Sequence, residues 1–216
     1  MARMRLWSAR AASVVLVSAL ALTGCGGDGK DKADDDTSES PSATTSGPTE
    51  PGTELELGEM ATFDWSPNQT ATSAAAVTVT RIDQGPSKDV LAIKIDPPLK
   101  NPKLYYVHVT IDNVGTADLG GVSALSLPLY VDDGSDKLMP AADVRLAFKP
   151  CPLEKLPKTF GSGAKKSLCL VYVLETTELQ NLSLRASETA PAITWTGEIT
   201  QPVKPTPPKK KKKKTS

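Results

Sequence analysis

The stretch "LYYVHVTIDN", residues 104–113, decides the fold class of this 216-residue chain, because its side chains alternate in character along the backbone. Its two faces are Tyr105, Val107, Val109 and Ile111 on one side, and Tyr106, His108, Thr110 and Asp112 on the other. A period of two residues is that of a β-strand, and one apolar face indicates that the strand is buried on one side. The stretch therefore predicts a half-buried strand of an antiparallel sheet.

Comparable short runs flank this strand, separated by Pro, Gly, Asn and Asp. They are "AVTVTRID" (76–83), "DVLAIKID" (89–96), "LSLPLYV" (125–131), "SLCLVYVL" (167–174), "LSLRA" (182–186) and "AITWTGEI" (192–199). Pro128 predicts that the third run is an edge strand, since proline has no backbone donor for the sheet. The fourth run is apolar on both faces and predicts a central strand. About eight to ten short strands at near-regular spacing predict an all-β fold, an antiparallel β-sandwich.

The segment "VDDGSDKL", residues 131–138, predicts a hairpin, because the glycine of Asp-Gly accepts the positive φ angle that a tight turn needs. Its clustered aspartates also suggest a calcium loop. They lack the spacing of the Asp-x-Asp-x-Asp-Gly motif and its distant glutamate, however. We therefore expect a turn here and no metal site.

A positively charged stretch and a short apolar run begin the chain. The basic residues are Arg3, Arg5 and Arg10, and the apolar run spans residues 11–22. This run is shorter than the roughly 20 residues that a helix needs to cross a bilayer. It predicts a signal peptide and not a permanent anchor.

The apolar run ends in "LTGC", residues 22–25, which resembles the lipobox of bacterial lipoprotein signal peptides. In that motif the cysteine thiol receives a diacylglyceryl group and the chain is cut just before it; two acyl chains give stable anchoring. We expect residues 1–24 to be the signal peptide and Cys25 to be lipidated. This predicts a lipid-anchored protein on the outer, extracytoplasmic face of the cell membrane. The alternative is an ordinary secreted protein with a free thiol.

Charge divides the remaining chain into three parts. Residues 25–53 contain 7 acidic and 2 basic residues with many Gly, Ser, Thr and Pro, and they predict a lipidated, disordered linker. Residues 54–203 are 150 residues with 18 acidic and 13 basic side chains, which is the size of one domain. Residues 204–216 predict a disordered tail rich in Pro and Lys.

The tail carries an unbroken block of lysines that is the candidate contact with an anionic surface. The block is Lys209, Lys210, Lys211, Lys212, Lys213 and Lys214. Each lysine close to such a surface contributes about 1 kcal/mol, so we expect contact with anionic lipids or cell-wall polymers. The alternative is that the block binds the acidic linker of the same chain. No nucleic acid partner is expected, because the compartment is extracellular and the body is acidic.

Two cysteines remain after lipidation, Cys151 and Cys169, and they allow one pairing. In an oxidising compartment we expect a disulfide that stabilises the fold by about 3 kcal/mol in the chain-entropy model. A redox pair would have the Cys-x-x-Cys spacing, and a zinc site would need further cysteines or histidines. We expect no metal and no cofactor.

The single histidine, His108, lies on the polar face of its predicted strand. A histidine base needs a positioned nucleophile and an orienting carboxylate, and no Gly-x-Ser-x-Gly motif occurs. We therefore expect a structural histidine and no enzyme activity. The best catalytic alternative joins His108 to the carboxylates of residues 132–136. Trp65 and Trp195 are expected to be core or rim aromatics.

Three segments together resemble a known family. They are "YYVHVTIDNVG" (105–115), "LYVDDGSDKLMP" (129–140) and "FGSGAKKSLCLVYVLET" (160–176). They are similar to successive landmarks of an uncharacterised family of immunoglobulin-like domains on Gram-positive lipoproteins, which is related in fold to a secreted immunoprotective antigen. The chain has Gly-Ser-Gly at residues 161–163 where that family has Pro-Gly, and Tyr172 where it has Phe. The resemblance implies an immunoglobulin-like β-sandwich without enzyme activity.

These features favour a membrane-anchored, extracytoplasmic lipoprotein that acts as a non-enzymatic binding or scaffold module at the cell envelope, with an envelope protein as one candidate partner. One alternative is an accessory subunit of a transporter or an envelope assembly machine, because anchoring raises the effective concentration near membrane partners. The other is a hydrolase that modifies the cell wall.

Overall fold

The computed structural model describes residues 47–67, 71–93, 99–132, 134, 138–144, 148–175, 178–187 and 189–202. The strands in this part of the chain are β1 (Glu54–Glu56), β2 (Met60–Trp65), β3 (Ser73–Gln84), β4 (Pro102–Asn113), β5 (Leu129–Asp132), β6 (Leu138–Pro140), β7 (Lys165–Glu175), β8 (Asn181–Leu184), β9 (Ile193–Thr196) and β10 (Ile199–Thr200). A four-residue helix, α1 (Ser87–Val90), follows β3, and a 3-10 turn spans Ala124–Ser126.

The strands form two sheets. One sheet has the order β1-β9-β8-β5-β6, and the other has the order β10-β3-β4-β7 with β2 also paired to β3. All pairings are antiparallel except those of β1 with β9 and of β10 with β3. The predicted all-β fold, an antiparallel β-sandwich, is confirmed.

The alternation in β4 places one face in the core between the two sheets. Tyr105, Val107, Val109 and Ile111 are each at most 2% exposed and pack in the main apolar cluster. That cluster also contains Trp195, so it joins residues of both sheets. Burial of each large apolar side chain contributes roughly 1.5–3 kcal/mol, and the face that the sequence predicts to be apolar is therefore the one that holds the sandwich together.

A second apolar cluster covers one half of the outer face of the β3-β4-β7 sheet. Leu104 and Tyr106 of β4 and Val171 of β7 lie beneath Val144 and Phe148. This cover explains why β7 is apolar on both faces. The prediction that β7 is a central strand is wrong, because it lies at the end of its sheet and is buried by the cover and not by a further strand.

Residues 89–93 do not form the first part of the strand predicted over residues 89–96. Their first residues complete α1 and further turns, and the Leu91 side chain is 87% exposed. The Asp89 carboxylate accepts a hydrogen bond of 2.8 Å from the Tyr106 hydroxyl, which ties the turn to β4. A short alternating run is also compatible with a helical turn, and the hydrogen bond between Asp89 and Tyr106 favours the turn here. Residues 94–98 lie outside the described part.

Pro128 marks the start of a strand and not a sheet edge. β5 begins one residue later and lies between β8 and β6, so the predicted edge position is wrong. The proline precedes the ladder and its carbonyl accepts a hydrogen bond from the Arg185 amide. The β5–β6 hairpin is confirmed, with Gly134 at a φ angle of 78° and its amide bound to the Asp132 carboxylate at 2.8 Å.

The predicted strand at residues 192–199 is two strands that belong to different sheets. β9 pairs with β8, and β10 crosses over to pair with β3. Gly197 lies at the break, where an added Cβ atom would come within 2.5 Å of the Leu57 side chain. The close approach explains why a residue without a side chain stands there.

The folded part extends further toward the N-terminus than the composition indicates. The Thr49 amide donates to the Thr62 carbonyl at 2.8 Å, and the Thr62 hydroxyl donates to the Gly47 carbonyl at 2.6 Å. Residues 47–53, assigned to the linker from their composition, therefore pack along β2. The rest of the predicted linker, the signal peptide and residues 203–216 lie outside the described part of the chain.

Candidate functional site

The predicted lipidation site Cys25 and the lysine block Lys209–Lys214 lie outside the described residues, so those predictions stay predictions. Cys151 and Cys169 form the predicted disulfide, with Cα atoms 5.3 Å apart. It joins the connection before β7 to β7 itself, which is an edge strand.

A cleft of about 310 Å³ opens beside this disulfide on the outer face of the β3-β4-β7 sheet. We call it the outer-face cleft; its lining includes Thr80, Arg81, His108, Pro152, Glu154 and Ser167. The strands supply its floor, and Pro152 and Glu154 come from the connection that precedes β7. Cys169 also lines the cleft, because it is the cross-strand partner of His108. The disulfide therefore holds one wall of the cleft against its floor.

A β-bulge in β3 turns Arg81 toward the cleft. Val79 and Arg81 pair with the consecutive residues Val109 and His108, which leaves Thr80 as the extra residue. Without the bulge, alternation would place Arg81 on the same face as Val79, which is buried in the core. Bulges commonly redirect side chains in this way.

Arg81, Asp83 and His108 form a connected polar cluster, in which Arg81 and His108 line the cleft. Arg81 Nε donates to Asp83 Oδ2 at 2.9 Å. His108 Nε2 lies 3.0 Å from Arg81 Nη2 and 3.0 Å from Asp83 Oδ2. One ring nitrogen cannot accept from the guanidinium and donate to the carboxylate at the same time, so the tautomer and the charge of the ring together select the partner of Nε2.

The environment of His108 favours the neutral imidazole. Partial burial lowers the pKa of His108 below its usual value of 6.5, and the Arg81 charge lowers it further, although Asp83 acts in the opposite direction. In the Nδ1–H tautomer of this neutral ring, His108 Nε2 is the acceptor of a hydrogen bond from Arg81 Nη2.

The hydroxyl groups around the cleft have partners other than the imidazole. Thr80 Oγ1 donates to the His108 carbonyl at 3.1 Å, and Ser167 Oγ lies 3.2 Å from Thr110 Oγ1. Glu154, which lines the cleft, accepts a hydrogen bond of 2.5 Å from the Lys166 ammonium. The arrangement presents several donors in a fixed geometry, which suits ligand binding better than activation of a nucleophile.

The carboxylate beside His108 is not one that the sequence indicated. Asp132 lies on β5 of the other sheet and accepts a hydrogen bond from Gly134, so it does not join His108, which faces outward. Asp133 and Asp136 are outside the described residues. Asp83 is the actual partner of His108. In the sequence, the spacing of two residues between Arg81 and Asp83 indicates that both lie on one face of β3. Only the bulge shows that this face is the one that carries His108.

The remaining candidates have structural roles. Trp65 and Trp195 are each at most 3% exposed, and their indole N–H groups donate to the carbonyls of Ser126 and Glu59. Within the described ranges, no group of three or more His, Cys, Asp or Glu side chains is arranged to hold a metal ion. In the same part of the chain, no helix has the length and apolar character needed to cross a membrane.

A second cleft of about 310 Å³ lies between the N-terminal segment and the β8–β9 connection. Its apolar lining includes Pro48, Phe63, Leu184, Pro191 and Ile193. It lacks a cluster of contacting charged groups like that of the outer-face cleft among its described residues.

Comparison with known proteins gives one structural match. No family model matches the chain, and no curated protein matches it. The chain is similar to the solved structure of a secreted protein from Mycobacterium tuberculosis, MPT63, with a TM-score of 0.46 and 9% sequence identity. The match covers 70% of this chain and 98% of the other.

Proposed function

We propose that this protein is a lipid-anchored, non-enzymatic binding module on the extracytoplasmic face of the cell membrane. The observation that carries the proposal is the basic and apolar N-terminus that ends in the lipobox at Cys25. Two acyl chains on this cysteine supply stable anchoring, whereas one chain binds a membrane only marginally.

The residues between the anchor and the sandwich supply a tether. Residues 26–46 consist mainly of Gly, Asp, Ser, Thr and Lys, which cannot bury enough apolar surface to fold. A flexible chain of this length has a root-mean-square span of about 25 Å. The anchored domain would therefore sample a layer close to the membrane surface, where its ligand-binding face is held at high local concentration.

The lysine block of the tail adds a second contact to this arrangement. Anionic headgroups and wall polymers attract clustered lysines, and the attraction weakens with rising salt. The lipid would set the location of the protein, and the tail would hold the C-terminal end of the domain near the same surface.

Binding is favoured over catalysis by the polar cluster of the outer-face cleft. His108 contacts Arg81 and Asp83, and the nearby Ser and Thr hydroxyls bind other groups. A rigid sandwich that holds an exposed guanidinium beside a cleft is suited to recognise a ligand.

The test is the Cys25→Ala variant, expressed in cells beside the wild type. We expect wild-type protein in the membrane fraction, with a diacylglyceryl group on its N-terminal cysteine by mass spectrometry. The variant should appear in the medium or as uncut precursor. Cys151→Ala/Cys169→Ala is the matched control, since it also removes thiols but should stay in the membrane fraction. A Cys25→Ala protein that is cut and still firmly membrane-bound would refute the proposal.

A further inference from the structure

The outer-face cleft contains more hydrogen-bond donors than its own acceptors use. Arg81 makes contacts through Nε and Nη2, and a guanidinium has further N–H donors. The Arg81 side chain lines the cleft and is 58% exposed, so these donors are accessible to a ligand. The carboxylate of Glu154, which lines the cleft, is already engaged with Lys166, and that of Asp83 beside it with Arg81.

Because donors exceed acceptors in this cleft, we propose that the outer-face cleft binds the carboxylate or phosphate group of a ligand through Arg81. This proposal rests on the proposed function as a binding module. Guanidinium groups bind such oxyanions with two parallel hydrogen bonds. Asp83 binds the guanidinium at Nε, and Arg81 itself lines the cleft. The volume of about 310 Å³ admits a small molecule or one group of a larger polymer.

His108 acts as the positioning residue of this site. In the Nδ1–H tautomer of the neutral ring, Nε2 accepts from Arg81 Nη2 and so holds one donor away from the ligand. When the ring is protonated, Nε2 can only donate, and Asp83 Oδ2 is the acceptor at 3.0 Å. Protonation therefore releases Arg81 Nη2 and adds a positive charge to the cleft.

The site should bind oxyanions more tightly as the pH falls. The charged groups that contact His108 are Arg81 and Asp83 from β3. Glu154, which is paired with Lys166, also lines the cleft, and β7 contributes the uncharged disulfide. A bound oxyanion must in turn favour the protonated imidazole, because linkage between two binding events is reciprocal. The ligand should therefore raise the pKa of His108.

The pKa of His108 can be measured directly, because the chain contains a single histidine. Full chain in a non-ionic maltoside detergent is titrated with inorganic phosphate, with acetate and with chloride at constant ionic strength, and the imidazole signal is followed by NMR. We expect saturable shifts with phosphate or acetate, no saturable shift with chloride, and a higher His108 pKa in the presence of the bound anion.

Two variants separate the site from general surface charge. Arg81→Gln should weaken the phosphate or acetate affinity roughly tenfold or more, the loss expected for a charge-assisted hydrogen bond. Lys165→Gln removes an exposed cation from the same face outside the cleft, and it should leave the affinity unchanged. Equal affinity in wild type and Arg81→Gln, or shifts that never saturate with either oxyanion, would overturn the proposal.

A further arm identifies the source of the oxyanion. Vesicles of phosphatidylglycerol are added to a chain that lacks residues 209–214, so that the lysine block does not recruit them. An Arg81-dependent shift with vesicles alone assigns the site to lipid headgroups, and a shift with soluble phosphate or acetate assigns it to a free ligand. Arg81→Gln should remain in the membrane fraction of cells, so failure of this site and failure of Cys25 anchoring give different results.

Discussion

Asn113 should be among the most sensitive positions of the fold, and its replacement by alanine is the change that we work out. The residue ends β4 and is 0% exposed. Its side-chain amide donates to the carbonyls of Ala117 and Phe160, both at 2.7 Å. Its side-chain oxygen accepts from Ser73 Oγ at 2.8 Å and from the Gly115 amide at 3.2 Å. One side chain therefore joins β3, β4 and two connections.

The magnitude follows from these four hydrogen bonds. Each contributes about 1 kcal/mol net, and a buried partner that loses its bond costs about 1–3 kcal/mol. Asn113→Ala removes all four and leaves buried groups of Ser73 and Phe160 without this partner, so the free energy of unfolding should fall by about 4 kcal/mol. That loss is a large share of the 5–15 kcal/mol of a typical domain.

The assay is equilibrium urea unfolding of the full chain, followed by tryptophan fluorescence. Asn181→Ala is the matched control, because Asn181 makes one long side-chain contact of 3.4 Å with Ser183 and should cost less than about 1 kcal/mol. Asn113→Asp keeps the size of the side chain but directs an oxygen at two carbonyl groups. We expect it to be at least as destabilising as Asn113→Ala. An Asn113→Ala loss below about 1 kcal/mol, or a near-native Asn113→Asp, would refute this reasoning.

Three further predictions concern the disulfide, the histidine and the tail. Cys151→Ala/Cys169→Ala should lower the free energy of unfolding by about 3 kcal/mol in urea, and an unchanged value would contradict the chain-entropy argument. His108 has a lower pKa in the folded than in the unfolded chain, so the unfolded state binds more protons between the two pKa values and stability should rise with pH there. His108→Gln should remove this slope, and a slope that persists in the variant would assign it to another group. Deletion of residues 209–214 should abolish salt-sensitive cosedimentation of the unlipidated chain with anionic vesicles or wall preparations, and binding that survives the deletion or ignores salt would exclude the lysine contact.

The parts of the fold that could be predicted are those with a local cause. Alternation of side chains identified the buried face of β4, because the period of a strand is a property of its backbone. The Asp-Gly sequence identified the β5–β6 hairpin for the same kind of reason. The cysteine pairing followed from counting, since only Cys151 and Cys169 remained.

The parts that could not be predicted depend on contacts between distant segments. An apolar pattern on both faces of β7 indicates burial, but it does not say whether a strand or an irregular cover such as Phe148 provides it. Residues 89–96 have the period of a strand, yet the bond between Asp89 and Tyr106 holds their start as a turn. In both cases the local sequence pattern was compatible with more than one structure. Contacts with distant segments determined which structure formed.

The outer-face cleft exists because one sheet face changes character along its length. Toward one end of β4, Leu104 and Tyr106 lie under the apolar cover, whereas His108 and the residues that follow it on this face are only partly covered. The change occurs where Cys169 pairs with His108, so the disulfide lies at the border between the covered and the open half. A bulge of one residue then brings Arg81 to the same border. The polar cluster and the disulfide therefore lie at the same place, beside the wall of the cleft. The alternation of side chains alone does not predict this site, because it depends on the long-range disulfide and on the register shift at the bulge.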